Sequence, residues 1–328
     1  MLKDDILKML TQAEGPVSGE EIAGRLGVSR AAVHQNIAAL RAEGYDIEAA
    51  TRKGYRLLSR PDRLTEAEIA PFLDVSGRRF SLHAFPTVDS TNNWLKAHYP
   101  ELPDFTAAVA DAQDGGRGRL GRRFLSPPGA GVYLSVLLKP DRPLQDFRCI
   151  TAMTAVAAAD AVEKLCGVRP GIKWPNDLVM DGKKVAGILT EMSLEGESGA
   201  VQYIVVGIGV NVLERPGDFP EEIREIAGSL WSQSGRTVRR AELVAELLNA
   251  FGRIFPDLPA HQKSSHAAYL RDCLNLGREV RIVRDGAECV AAAETVDPDF
   301  GLVVRFPDGT EETIRTGEVS VRGFYGYV

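Results

Sequence analysis

Cysteine is scarce in this sequence, and its placement excludes two kinds of cross-linked fold. The four cysteines, Cys149, Cys166, Cys273 and Cys289, lie far apart, and no CxxC pair occurs. A disulfide framework or a cysteine-ligated zinc site would need a closer spacing. The five histidines likewise show no paired metal-ligand spacing, so we expect no metal site built by the protein alone. This cysteine usage is typical of a reducing cytoplasm, where we expect the protein to act.

Long apolar runs and strong charge are also missing. No stretch approaches the roughly 20 apolar residues that span a bilayer, and the amino terminus does not resemble a secretory signal, so we predict no membrane partner. The net charge is only −6, yet residues 1–60 hold nine Lys and Arg against eight Asp and Glu. Local placement of charge decides nucleic-acid binding more than the total does, so DNA binding by this amino-terminal region stays possible.

The chain is too long for one ordinary domain, and its pattern changes twice. Three short helices and a hairpin are predicted over residues 1–60. Strands alternate with helices from about residue 79 to 258, including a helix predicted at 146–165, and short strands with turns follow residue 276. We therefore predict an α+β protein with a winged helix-turn-helix at 1–62, a mixed sheet with helices at 63–271 and a small β-barrel at 272–328.

The first 60 residues contain the signals of a winged helix-turn-helix. Ser18 and Glu21 have the spacing of a capping box, and Ser29 predicts the cap of a second helix after a tight turn. The outer face of that helix carries short polar and basic residues, as a recognition helix requires. The candidate DNA contacts on this helix and the wing tip are Ser29, Arg30, Ala31, His34, Gln35, Asn36, Arg52 and Lys53. A small helical domain for protein contacts is the alternative.

Residues 116–123, GRGRLGRR, form the most unusual stretch of the sequence. They satisfy G-x-G-x-x-G, but the following segment 125–129, LSPPG, cannot start the helix that a dinucleotide site requires. We reject that interpretation and predict a flexible loop whose guanidinium groups bind phosphate or carboxylate once a ligand arrives. A merely solvated charged loop is the alternative. No P-loop motif occurs, so any nucleotide chemistry belongs to another class.

Gly207, Gly209 and Asn211 alternate along a predicted strand and therefore share one face. Glycines inside a strand mark close approach by a ligand or by backbone. We interpret this face as a floor without side chains, suited to a flat ligand. Tight packing against the helix predicted at 146–165 is the alternative.

Five short motifs in one order resemble biotin protein ligases. They are TVDSTN at 87–92, GRGRLGR at 116–122, KWPND at 173–177, KVAGIL at 184–189 and GIGVN at 207–211. The resemblance spans roughly residues 85–215. With the two terminal regions, nearly the whole chain resembles the bifunctional ligase–repressors of that family. The resemblance implies a biotin/lipoate ligase-like central domain and an SH3-like terminal barrel.

The resemblance also implies the chemistry. Such ligases use ATP and Mg²⁺ to form biotinyl-5′-AMP, and then transfer biotin to a lysine of the biotin carboxyl carrier domain of acetyl-CoA carboxylase. A bifunctional member would also repress biotin synthesis genes by binding their operator DNA, and the few positive charges of the head imply a homodimer. Because carboxylate and triphosphate are both anionic, cations must gather where they react. Lys184 and Arg119 are the candidate catalytic residues.

Two overlapping sets of binding residues follow from the resemblance. Short hydroxyl and amide side chains match biotin's ureido ring, which has two N–H donors and one carbonyl, and basic side chains match phosphate. The candidates for biotin are Ser90, Thr91, Asn92, Gln113, Arg117, Gly118, Arg119 and Lys184. The candidates for ATP or adenylate are Gly116, Arg117, Arg119, Arg122, Lys173, Asp177 and Asn211.

The loop departs from the family pattern at two positions. Leu120 stands where some relatives carry arginine, and Phe124 stands where tryptophan is often seen. The first change removes a phosphate contact, and the second keeps an aromatic ring but loses an indole N–H, so both could alter adenylate retention. Two other functions stay open, namely a regulator that senses biotin without catalysis and a ligase whose head does not bind DNA.

Overall fold

The computed structural model describes residues 2–50, 53–196, 200–284, 287–315 and 318–321. The chain divides into two compact units, residues 1–71 and residues 72–328. The predicted boundary at residue 271 lies inside the second unit, and the three-domain division stays a prediction.

The first unit contains three helices and an antiparallel hairpin around one apolar core. Its elements are α1 (Leu2–Gln12), α2 (Gly19–Leu26), α3 (Arg30–Ala42), β1 (Asp46–Ala50), β2 (Gly54–Ser59) and the short α4 (Glu66–Ile69). The Ser18 and Ser29 hydroxyls accept hydrogen bonds from backbone N–H groups of the following helices, so both serines cap as predicted, while the Glu21 carboxylate of the predicted capping box pairs with Arg25 at 2.9 Å. Val17 also pairs with Tyr55 and widens the hairpin, a contact the sequence pattern did not indicate.

The second unit begins with the elements of a large sheet. They are β3 (Ser81–Val88), α5 (Thr91–His98), β4 (Thr106–Gln113), β5 (Gly131–Leu138), α6 (Ile150–Cys166), β6 (Gly171–Lys173), β7 (Asp177–Met180), β8 (Lys183–Leu194), β9 (Val201–Asn211), α7 (Glu221–Arg224), α8 (Leu230–Ser234), α9 (Arg240–Ile254) and α10 (Leu258–Asp272). Helix α6 starts later than predicted, because residues 144–147 form a separate 3-10 turn.

The seven strands of this sheet are ordered β3-β4-β5-β9-β8-β7-β6. Strands β3 and β4 are parallel and are connected through α5, whereas every other neighbouring pair is antiparallel. The sheet is therefore mixed, as predicted.

Different helices cover the two faces of the seven-stranded sheet. Leu95 of α5 packs with Val205 of β9. The Thr151 hydroxyl of α6 instead lies 2.7 Å from the Thr190 hydroxyl of β8, and Thr190 pairs with Val206, the residue after Val205. Successive strand residues point to opposite faces, and directly paired residues point to the same face. Helix α6 therefore lies on the face opposite α5.

The carboxy-terminal strands form a second, fully antiparallel sheet. They are β10 (Glu279–Arg284), β11 (Ala287–Val296), β12 (Leu302–Arg305), β13 (Glu311–Ile314) and β14 (Glu318–Val321), in the order β13-β12-β11-β10-β14. The Trp174 indole donates to the Phe300 carbonyl at 2.9 Å, so the loop between β11 and β12 contacts the KWPND turn directly. Among the described residues, no helix is both long and apolar enough to cross a membrane.

Candidate active site

A cavity of about 290 Å³ opens on the α5 side of the seven-stranded sheet. Its wall brings together distant parts of the chain, from Ser90 before α5 to Ala227 after α7. The predicted ligand-binding and catalytic residues that line it are Ser90, Thr91, Asn92, Gln113, Arg117, Gly118, Arg119, Arg122, Lys173, Asp177, Lys184 and Asn211. Of the residues predicted to contact biotin or ATP, only Gly116 is outside this lining.

Gly116 instead holds the base of the basic loop. Its carbonyl accepts a hydrogen bond from the Phe124 N–H at 3.0 Å, and a Cβ at Gly116 would lie 2.3 Å from the Phe124 carbonyl oxygen. Gly118 and Arg122 close the loop above it, because the Gly118 N–H donates to the Arg122 carbonyl at 2.7 Å. This geometry gives Gly116 a backbone role at the base of the loop, and its contact with nucleotide stays a prediction.

Gly207 and Gly209 leave room for two side chains of the cavity. A Cβ at Gly207 would lie 2.2 Å from Asn92 Oδ1, and a Cβ at Gly209 would lie 2.6 Å from the Phe124 ring. The alternative of packing against α6 is wrong, because α6 is on the opposite face. Gly207 and Gly209 both line the cavity, with the Asn92 amide and the Phe124 ring against them, and the interpretation that this face is a floor for a flat ligand stays a prediction.

One end of the cavity, here called the neutral end, consists of Ser90, Thr91, Asn92, Gln113 and Ser135. The Thr91 N–H donates to Gln113 Oε1 at 2.9 Å, and the Thr91 hydroxyl lies 2.6 Å from the Ser135 hydroxyl. Ser135 in turn donates to Asn92 Oδ1 at 2.5 Å. Ser90 caps α5, as predicted. These groups are largely buried and hydrogen-bonded to one another, so their directions are set before any ligand binds.

Ser135 is a site residue that the sequence analysis missed. It is 1% exposed on β5, in the otherwise apolar run 132–138, VYLSVLL. A single hydroxyl inside such a run needs a buried partner. That signal was available in the sequence, although it does not identify the partner.

The other end of the cavity, here called the cationic end, consists of the 117–123 loop with Lys173, Asp177, Lys184 and their neighbours. Lys184 Nζ lies 2.7 Å from Asp177 Oδ1. Asp177 and Gly187 are paired across β7 and β8, and a Cβ at Gly187 would lie 3.0 Å from Lys184 Nζ. The predicted Asp181-Gly182 turn is present, with φ values of 46° and 72°. The sheet therefore holds the Lys184 ammonium at the cavity wall.

Asn176 is a second residue that the sequence analysis did not assign. Its side-chain carbonyl accepts a hydrogen bond from the Arg119 guanidinium at 3.1 Å, and its amide nitrogen donates to the Ile188 carbonyl at 2.8 Å. Asn176 therefore connects the basic loop to β8. The sequence offered its position within KWPND but no local reason to choose it over its neighbours.

Most of the predicted DNA contacts form one exposed face of the first unit. Arg30, Ala31, His34 and Gln35 are exposed on α3, on the side away from its buried apolar residues, and Ser29 is exposed at its start. Asn36 is only half-exposed, and its amide nitrogen donates to the Ala32 carbonyl of its own helix at 2.8 Å. Lys53 is exposed at the wing, whereas Arg52 lies outside the described residues.

Comparison with known proteins identifies the family. The model of the biotin/lipoate A/B protein ligase family matches residues 84–211, and that of an HTH domain matches residues 3–56. The bifunctional ligase/repressor BirA of Bacillus subtilis (strain 168) is 39% identical over 264 residues, which cover 79% of this chain and 80% of that protein. The chain belongs to the biotin/lipoate A/B protein ligase family.

Two further relatives agree with this assignment. The biotin–[acetyl-CoA-carboxylase] ligase of Paracoccus denitrificans is 34% identical over 242 residues, covering 72% of this chain and 98% of that protein. The solved biotin protein ligase from Aquifex aeolicus in complex with biotin and ATP is 30% identical, with a TM-score of 0.63, covering 74% of this chain and 98% of that one. The resemblance read from the five motifs is confirmed, and the chain combines the ligase domain of the family with an HTH domain.

The ligase cavity has few groups that could hold a metal. Among the described residues, no group of three or more His, Cys, Asp or Glu could ligate one, and Asp177 is the only acid in the cavity lining. Mg²⁺ is often held by one or two carboxylates, substrate phosphates and waters. The site therefore fits a Mg²⁺ ion that arrives with a nucleotide.

Proposed function

We propose that this protein activates biotin with ATP and transfers the biotinyl group to a carrier lysine. The observation that carries the proposal is the cavity itself, in which a neutral hydrogen-bonding end and a cationic end share one wall. A ligand with a polar uncharged ring and a distant carboxylate fits that division, and the cations extend to where a triphosphate would meet the carboxylate. The Aquifex relative was solved with biotin and ATP, which are the substrates proposed here.

The first step is attack by a biotin carboxylate oxygen on the α-phosphorus of ATP. The bond from that phosphorus to the bridging oxygen breaks, pyrophosphate leaves, and biotinyl-5′-AMP remains. Negative charge increases between the two anions as they meet, so Lys184 and Arg119 would lower the barrier by electrostatic stabilisation. We assign Arg117, Arg122, Lys173 and Asn211 to the phosphates and the nucleotide. Mg²⁺ would neutralise phosphate charge, with Asp177 as its protein ligand.

The second step is attack by the carrier lysine on the acyl carbon of the intermediate. An amide forms, the bond from the acyl carbon to AMP breaks, and the amine gives up a proton. The intermediate is a mixed anhydride that water destroys, so a loop that covers it would retain it for the acceptor. We assign this covering role to the basic loop. From the name of the Paracoccus relative, we infer that the acceptor is the biotin carboxyl carrier domain of acetyl-CoA carboxylase.

We further propose that the head represses biotin synthesis genes by binding their operator DNA as a homodimer. The face of α3 carrying Arg30, His34 and Gln35 would enter the major groove, and the wing would contact phosphate. If closure of the basic loop favours the dimer, the adenylate becomes the corepressor and couples biotin supply to transcription. We also propose that β10–β14 close as an SH3-like barrel and that the protein acts in the cytoplasm.

The ligase proposal is tested with purified protein, labelled biotin, ATP, Mg²⁺ and a carrier domain. We expect the label to appear on the carrier as an amide and to require both ATP and Mg²⁺. A carrier whose acceptor lysine is changed to arginine should stay unlabelled. Tight biotin binding without transfer would favour the alternative of a sensor without catalysis, and absence of biotin binding would overturn the proposal.

The repressor proposal is tested by a gel shift with the promoter of a biotin-synthesis operon. We expect binding to strengthen when biotin and ATP are both present. Arg30→Ala should weaken operator binding by about tenfold while ligation stays unchanged, because it removes a contact in the groove. Arg25→Ala, an exposed arginine on α2, is the matched control. No shift under any condition would leave a ligase whose head does not bind DNA.

A further inference from the structure

A continuous chain of hydrogen bonds runs from the protein surface into the neutral end of the cavity. Lys96 Nζ donates to Glu191 Oε1 at 2.6 Å, and Asn92 Nδ2 donates to Glu191 Oε2 at 2.7 Å. Asn92 Oδ1 accepts from the Ser135 hydroxyl at 2.5 Å, and that hydroxyl lies 2.6 Å from the Thr91 hydroxyl. Glu191 is outside the cavity lining, so this chain is its hydrogen-bonded route to a ligand, beside the charge interaction that it has with Arg117 of the lining.

The carboxylate of Glu191 fixes which way the Asn92 amide points. An ionised carboxylate only accepts hydrogen bonds, so it requires the NH₂ side of the amide. Burial opposes the ionisation of Glu191, but the hydrogen bonds from Lys96 and Asn92, together with the charges of Lys96 and Arg117, outweigh it and hold its pKa below the usual value. The same nitrogen also donates to the Leu189 carbonyl at 3.4 Å, a longer contact than the 2.7 Å to Glu191, and with the nitrogen on this side the amide oxygen must face Ser135.

The direction of the next two hydrogen bonds follows from the number of hydrogens. Ser135 has one hydroxyl hydrogen, and the Asn92 oxygen takes it. Ser135 must therefore accept from Thr91, which uses the single hydroxyl hydrogen of Thr91. The Gln113 oxygen lies 3.2 Å from the Thr91 hydroxyl and 2.9 Å from the Thr91 N–H, and the N–H satisfies it. The Thr91 hydroxyl is left with lone pairs and no hydrogen for the cavity.

We propose that Glu191 is a positioning residue that makes the Thr91 hydroxyl an acceptor, so that this end of the cavity selects a ligand ring carrying an N–H. The inference rests on the proposed function, in which that ring is the ureido ring of biotin. It adds a residue outside the cavity and a reason for the selectivity: one carboxylate sets the polarity of three consecutive hydrogen bonds.

Glu191→Gln tests the proposal, because a glutamine amide can donate as well as accept. The Asn92 amide can then turn over, Ser135 can reverse, and Thr91 can donate into the cavity. The probes are biotin and its two cyclic carbamate analogues, in each of which oxygen replaces one ring N–H. For the wild type, we expect the Kd of at least one carbamate to exceed that of biotin by about tenfold or more, since an acceptor would face an acceptor.

In Glu191→Gln, we expect the Kd of biotin to rise about tenfold and its preference over that carbamate to fall below about threefold. Ser135→Ala breaks the same chain one step later and should lose the same preference. Glu101→Gln, an exposed residue, removes the same charge elsewhere and should change neither value. A raised KM for biotin with a nearly unchanged kcat would separate positioning from damage to the cationic end, and unchanged thermal midpoints would exclude general unfolding.

The result that overturns the proposal is a Glu191→Gln protein that binds biotin and rejects the carbamate as the wild type does. Equal losses of affinity for all three compounds would also overturn it, since that pattern indicates a structural role only. Failure of the proposed function would look different, because the wild type itself would then bind none of the three.

Discussion

The neutral end and the cationic end of the cavity differ in what holds their side chains in place. At the neutral end, Thr91, Asn92, Gln113 and Ser135 are fixed by hydrogen bonds to one another and by the absence of a side chain at Gly207. At the cationic end, charged side chains come from separate segments, with Arg119 hydrogen-bonded to Asn176 and Lys184 paired with Asp177. The first arrangement is set by geometry, and the second by charge.

The difference separates ligand recognition, at the neutral end, from the chemical reaction, at the cationic end of the same cavity. A preorganised neutral surface loses little entropy when a ligand binds, which favours discrimination between similar rings. A set of cations attached to a loop and two strands can instead accommodate charge that changes during a reaction. We expect changes at the neutral end to alter affinity, and changes at the cationic end to alter rate and retention.

The largest effect is expected for Lys184→Ala. Removing an ammonium that stabilises the transition state should slow adenylate formation by about 100- to 1,000-fold, while the Kd of biotin changes much less. Single-turnover release of pyrophosphate measures the rate, and calorimetry measures the Kd. Lys183→Ala is the matched control, because the Lys183 ammonium donates to the Arg224 carbonyl outside the cavity. A normal rate in Lys184→Ala would remove Lys184 from the chemistry.

A smaller effect, on retention instead of formation, is expected for Arg119→Ala. This change removes the hydrogen bond to Asn176 and the contact that we propose between Arg119 and the intermediate, so adenylate should dissociate about 10- to 100-fold faster. Released adenylate would label lysines of an added bystander protein such as albumin, which mass spectrometry detects. Arg148→Ala, an exposed arginine outside the cavity, should not label the bystander. Equal retention in both variants would contradict the covering role of the loop.

Gly207→Ala should damage the neutral end with a single methyl group. The new Cβ would lie 2.2 Å from Asn92 Oδ1, so the amide must move and the Ser135 hydrogen bond is lost. We expect the Kd of biotin to rise about tenfold, with a smaller effect on the rate at saturating biotin. Gly15→Ala is the control, since nothing lies within 4 Å of a Cβ there. A change in the adenylation rate without a change in the Kd of biotin would contradict the assignment of affinity to the neutral end and of rate to the cationic end.

The smallest effect is expected at Glu214, a buried carboxyl group whose pKa shift is opposite to that of the half-buried Glu191. Burial raises the pKa of Glu214 to about 7, and backbone N–H groups and Arg240 compensate only in part. The pKa of Glu191 is lowered instead, because Lys96 is its hydrogen-bonded partner. A raised folded-state pKa means that the contribution of Glu214 to stability is greatest below pH 4.5 and is lost as the pH rises towards 7. Glu214→Gln should therefore raise the thermal midpoint by a few degrees at pH 8 and change it little at pH 5. Calorimetric scans at both pH values measure this, and an equal shift at both would refute it.

Local signals explain which parts of the fold the sequence predicted well. The caps at Ser18 and Ser29, the Asp181-Gly182 turn and the cap at Ser90 are set by residues within four positions of one another. The parallel pairing of β3 with β4 and the contact between Val17 and Tyr55 join distant residues, and no local pattern specifies them.

The same distinction applies to the site. The cationic residues were found because they stand in motifs, and the structure brings them to one cavity. Ser135, Asn176 and Glu191 were missed because each acts through a partner far along the chain. The alternation of Gly207 and Gly209 indicated a close approach at this face, but it could not identify the distant partner at Gly207, which is the Asn92 side chain.

Trp174 contacts two residues of the carboxy-terminal region, and these contacts bear on what a truncated protein would lose. The Trp174 N–H donates to Asn275 Oδ1 at 2.8 Å, and its indole donates to the Phe300 carbonyl at 2.9 Å. Both acceptors lie beyond residue 271, yet both support the turn that presents Lys173 and Asp177. A truncated chain ending at 271 would keep every residue predicted to contact biotin or ATP, but it would lose both of these hydrogen bonds. The described residues beyond 271 therefore stabilise the ligand-binding part of the protein, and removing them should impair it.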